Sequence, residues 1–119
     1  MLSIKIGITI SLLAVVIGAF GAHGLKEILT QNKSLDIFQT AVRYQMFHSI
    51  AIIITGILIY LNVVDSKLPT YLFLAGIIIF SGSLYILSIT DIKWLGAITP
   101  IGGVLFILGW GLLFVEINF

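Results

Sequence analysis

Four stretches of this chain are too apolar to sit in water, and each approaches the length that crosses a bilayer. The plainest runs from Phe47 to Leu61, broken by His48, Ser49 and Thr55. Comparable runs lie between Ile6 and Ala22, between Thr70 and Ile89, and between Leu95 and Val115. A hydrocarbon core about 30 Å thick takes about 20 predominantly apolar residues as a helix. Only 9% of the 119 residues are charged and 60% are hydrophobic, whereas a soluble domain carries about a quarter charged residues. The solvent for this chain is therefore lipid.

The expected fold is an all-α integral membrane protein, one domain over residues 1–119, with four transmembrane helices at about 6–22, 44–61, 70–89 and 95–115. Short connectors force successive helices to return antiparallel, giving an up-down-up-down bundle. Both termini then share one face with the second connector. The first and third connectors share the other. Lys26, Lys33, Arg43 and Lys93 fall on that connector face, against Lys5, Lys67 and the amino terminus. The positive-inside rule then puts the first connector in the cytoplasm, by an excess of about one charge.

The remaining composition excludes several classes of function. The formal net charge is +1 and the basic residues are scattered singly, so no stripe tracks a phosphate backbone and nucleic acid is not an expected partner. There is no cysteine, hence no disulfide, thiolate metal site or cysteine nucleophile. His23 and His48 invite a metal or bis-histidine haem reading, but two histidines fall short of a closed zinc set, which Glu27 or Asp36 would have to complete, and their spacing matches no compact metal motif. Gly102-Gly103 lacks the Lys-Ser or Lys-Thr that follows a phosphate-cradling loop. Ser49 beside His48 points away from it on a helix. No catalytic residue, metal or cofactor is assigned, and the chain is not expected to be an enzyme.

The segments carry finer signals. A cleavable leader is the rival reading of the first run, but that run is long for a signal, and Gly7, Ser11, Ala14, Gly18 and Gly21 recur about every three and a half positions. Such a small-residue stripe suits close helix packing, as do Gly76, Gly102 and Gly103. Ser34 reads as a helix cap. From Leu35 the second long helix begins as an amphipathic interfacial extension, with Asp36, Gln39, Thr40 and Arg43 on one arc, before entering the membrane. Lys26, Lys93, Trp94 and Trp110 read as interface anchors. Pro100, after Thr99, is either the first residue of a capped helix or a kink, and the kink fits the length of the span better.

Ionisable and amide side chains collect between His23 and His48. The topology brings His23, Arg43, Gln45, His48 and Asp91 toward one membrane face as a candidate polar or ligand cluster. Charges at membrane depth cost about 2.5–3.5 kcal/mol on insertion scales, so they face protein or water and have partners.

Three motifs in order resemble a known family: Phe20-Gly21-Ala22-His23-Gly24-Leu25, then Arg43-Tyr44-Gln45-Met46-Phe47-His48, then Trp94-Leu95-Gly96-Ala97-Ile98-Thr99-Pro100-Ile101-Gly102-Gly103. They are similar to domain of unknown function four-two-three, a family of small bacterial inner-membrane proteins to which a mammalian transmembrane protein is also similar. The resemblance covers essentially the whole chain. It implies a four-helix protein of the bacterial plasma membrane and supplies no activity. Related chains often carry a second tyrosine where this one has Phe47.

The function expected from all of this is a helix-packing or lipid- or partner-binding membrane module. Its partners would be membrane lipids, a second copy of the chain or another membrane protein. The alternative is an oligomeric transporter or channel for protons or a small amphiphile, gated by the His/Arg cluster.

Overall fold

The computed structural model describes residues 2–118, and among them there is helix and no strand. Helix α1 spans Leu2–Gly24 and includes a π-helical turn at Ile17–Gly21. A short helix α2, Lys26–Gln31, leads into the 26-residue α3, Leu35–Tyr60. Helix α4 spans Leu68–Thr90, with a second π-helical turn at Ile77–Ser81. A 3₁₀ turn, Lys93–Ala97, precedes α5, Thr99–Glu116. Four segments are long and apolar enough to cross a membrane, the last counted from Lys93 to Glu116.

The connectors end their helices by one device. Lys33, Asn62 and Asp91 take positive φ of 52°, 61° and 58°, the left-handed conformation that closes a helix C-terminus. The loops are then pinned across the fold. Ser34 Oγ donates to the Ser88 carbonyl at 2.6 Å, and Asn32 Nδ2 donates to the carbonyls of Ser88 and Ile89 at 3.1 and 3.0 Å. At the opposite face the Asn118 N–H donates to the Val63 carbonyl at 2.9 Å. The carboxy-terminal tail and the α3–α4 loop therefore share one face, and the first and third connectors share the other. The four spans run up, down, up and down.

Two expectations change here. Ser34 does precede α3, but its hydroxyl makes no cap bond; it donates to the buried Ser88 carbonyl near the end of α4. Pro100 is no mid-helix kink. It lies in the first turn of α5, where the missing N–H has no intrahelical acceptor to serve, because the 3₁₀ turn already supplies the length the span needs.

Lipid is as apolar as leucine, so association here relies on close packing and hydrogen bonds rather than on burial of apolar surface. Helix α1 packs on α3, α3 on α4, and α4 on α5. The Cα atoms extend 50 × 27 × 17 Å, so the arrangement is a bent row rather than a closed square. The closest approach to a neighbouring backbone is at Gly102 of α5, where an added Cβ would lie 2.5 Å from the backbone nitrogen of Phe80. Gly76 and Gly109 likewise accept the rings of Phe106 and Phe73, and Gly18 and Gly21 admit Val42 and Phe38. Gly103 does not belong with them. A Cβ there would make an ordinary 3.9 Å contact with Phe80, since Gly103 faces open space rather than a neighbouring backbone.

Candidate functional site

Polar groups inside the spans are few, and most are engaged. Gln45 of α3 is 5% exposed. Its Nε2 donates to the Ile10 carbonyl of α1 at 3.1 Å, and its Oε1 accepts from the Tyr85 hydroxyl of α4 at 2.5 Å. One amide thus ties three helices. Ser11 and Ser49 share a 2.7 Å hydrogen bond between α1 and α3, and Ser81 Oγ donates to the Ala41 carbonyl at 2.8 Å.

His48 is 4% exposed and sits midway along α3. Its Nδ1 lies 2.9 Å from the Tyr44 carbonyl, and its Nε2 lies 3.0 Å from Nε1 of Trp110. A carbonyl can only accept and an indole N–H can only donate. The ring therefore carries its proton on Nδ1 and accepts at Nε2. Phe106 of α5 stacks on it with centroids 3.6 Å apart and planes at 9°. Phe47, Phe73 and Trp110 pack around its edges.

Helices α3 and α5 are bridged by these side chains, and beside the bridge a cleft of about 650 Å³ remains. Tyr44, Phe80, Phe106 and Trp110 form its aromatic walls, Gly103 leaves it open on α5, and Arg43 stands at one end. Phe80 belongs to the π-helical turn of α4. Such a turn inserts an extra residue, shifts the side chains after it and recurs at functional sites. The other π-helical turn borders a second cavity of about 480 Å³ between α1 and α3, lined by Gly18, Ala22, Phe38, Gln39, Val42 and Arg43. Arg43 is common to both cavities.

The expected cluster therefore separates by depth. Arg43 and His48 line one cleft; Gln45 turns to the other side of α3, toward α1 and α4. His23 is exposed near the end of α1. It lies two residues past Gly21, which packs on Phe38, and His48 is ten residues further along α3, about 15 Å at 1.5 Å per residue. The two imidazoles cannot share a ligand. Asp91 lies in the α4–α5 connector and pairs with Lys93 at 2.7 Å. Among the described residues no three His, Asp or Glu side chains converge to hold a metal.

Lys26, Lys93 and Trp94 are exposed at the connector face. Trp110, expected at the far interface, instead turns its indole N–H inward to His48. The aromatic walls were not foreseen from sequence, although Tyr44 and His48, like Phe106 and Trp110, are four residues apart and so share a helix face.

Four antiparallel spans with one lateral aromatic cleft define a small multi-pass membrane protein. The chain matches, over residues 17–103, the family described as "Protein of unknown function (DUF423)", and it belongs to that family. It is 46% identical over 114 residues to a UPF0382 membrane protein of Staphylococcus aureus (strain bovine RF122 / ET3-1), covering 96% of this chain and 93% of the relative. It is 47% identical over 109 residues to the UPF0382 membrane protein YwdK of Bacillus subtilis (strain 168), covering 90% and 88%. No solved structure matches the chain.

Proposed function

We propose that this chain is a membrane-embedded binding module, and that the cleft between α3 and α5 receives an amphipathic guest from the bilayer. The supporting observation is a cleft of about 650 Å³, within the roughly 300–1,000 Å³ range of ligand pockets. It is walled by aromatic rings and ends at a single cation. Phe47 and Ile107 on its rim are 60% and 70% exposed, so a guest would enter sideways from lipid without crossing the bundle.

The polar-gate reading has less to support it among the described residues. Both nitrogens of His48 are engaged, Gln45 is sealed by Ile10 and Tyr85, and His23 and Asp91 lie outside the cleft. Filling the cleft tests the binding reading. Gly103→Leu has room at Cβ and should lower the lipid retained by the purified protein in native mass spectrometry while its thermal unfolding stays near wild type. Unchanged retention in a folded variant would count against the cleft.

A further inference from the structure

We infer that the guest is an anionic glycerophospholipid, with its phosphate on Arg43 and one acyl chain in the aromatic cleft. The inference rests on the binding reading above and adds the chemical class of the guest. Arg43 and Asp36 are the only charged side chains of α3, and α4 has none. Arg43 lies eight residues below Leu35, about 12 Å along the helix. It is exposed and forms no ion pair among the described residues. The nearest acid on its own face is Asp36, seven residues away and about 10 Å up the helix, and Asp91 is held by Lys93.

Arg43 sits where the amphipathic start of α3 gives way to the apolar span, and a phosphate is the anion that a bilayer supplies at that boundary. Guanidinium and phosphate also match in geometry, through parallel N–H donors. The direction fits as well. Side chains lean toward the amino-terminal end of their helix, so the Arg43 head group reaches toward the Leu35 face while its stem lies along apolar surface. The cleft runs the other way, past Tyr44, Phe47 and His48. Head and chain of one lipid would thus separate as the bilayer separates them. Gln39, one turn above Arg43 in the second cavity, supplies an amide for hydroxyls beyond the phosphate.

Trp110 lines the cleft and Trp94 is the other tryptophan, exposed in the connector, so Trp94→Phe leaves one reporter. This variant is reconstituted in phosphatidylcholine brominated at mid-chain, which quenches a tryptophan in contact with it. Unbrominated phosphatidylglycerol should relieve the quenching several-fold more than the same mole fraction of unbrominated phosphatidylcholine. Adding Arg43→Gln should abolish that preference and leave quenching by brominated phosphatidylcholine intact. Equal relief by both lipids, or a preference that survives Arg43→Gln, would overturn the inference while leaving an unselective cleft. Millimolar inorganic phosphate should not alter the preference; if it competes, the site takes the free anion and the lipid assignment fails. Absence of quenching in every brominated mixture would remove the cleft reading itself.

Discussion

The indole N–H of Trp110 donates to Nε2 of His48 across 3.0 Å, joining α3 to α5 beside the stacked rings of His48 and Phe106. His48 Nδ1 is already committed to the Tyr44 carbonyl within its own helix. The histidine is thus held in one tautomer by one partner from each side.

Trp110→Phe should leave Nε2 without a donor in an apolar setting, at a cost of about 1–3 kcal/mol. Thermal unfolding in detergent, followed by circular dichroism, measures the loss. Nitrogen-15 spectra of the wild-type protein should show the imidazole protonated at Nδ1, and the Nε2 resonance should shift in the variant. A histidine protonated at Nε2 would contradict the geometry.

Neighbouring glycines of α5 should behave in opposite ways. Gly102→Ala pushes a Cβ to 2.5 Å from the Phe80 backbone nitrogen, and backbone cannot yield as a side chain can. A destabilisation of about 1–3 kcal/mol is expected from overpacking. Gly103→Ala meets nothing closer than 3.9 Å and should unfold within a degree or two of wild type. Equal effects would mean that α4 and α5 do not cross at this register.

Gln45 makes a prediction about coupling. Gln45→Leu removes the acceptor of the Tyr85 hydroxyl and the donor to Ile10, and leaving a buried hydroxyl unpaired costs about 1–3 kcal/mol. Tyr85→Phe in the same chain should recover part of that loss, because the orphaned group is gone. A double-mutant cycle reads the coupling, and strict additivity would show that the pair is not in contact.

What was legible in the sequence is what hydropathy and turn chemistry control. The apolar runs, the antiparallel order and the stops near Asn62 and Asp91 follow from residues acting alone or with close neighbours. Side chains with a choice of partner were less legible. Ser34 had a local cap bond available and took a carbonyl of α4 instead; Trp110 had a headgroup region available and took His48. Tyr85 likewise turns to a partner on another helix, Gln45. The π-helical turns at Ile17–Gly21 and Ile77–Ser81 leave no sequence signature, because they depend on how each helix meets its neighbour. Both cavities lie beside them, so the site was the least readable part of the fold.

The bent row of helices has a consequence for biogenesis. Each long segment docks chiefly on the one synthesised just before it, so a nascent segment leaving the translocon meets a partner already waiting in the membrane. Assembly can then keep pace with the ribosome, with no early segment stranded until a distant one appears. That economy of local pairing favours rapid maturation, and it leaves the aromatic slot as the last feature completed, when α5 arrives.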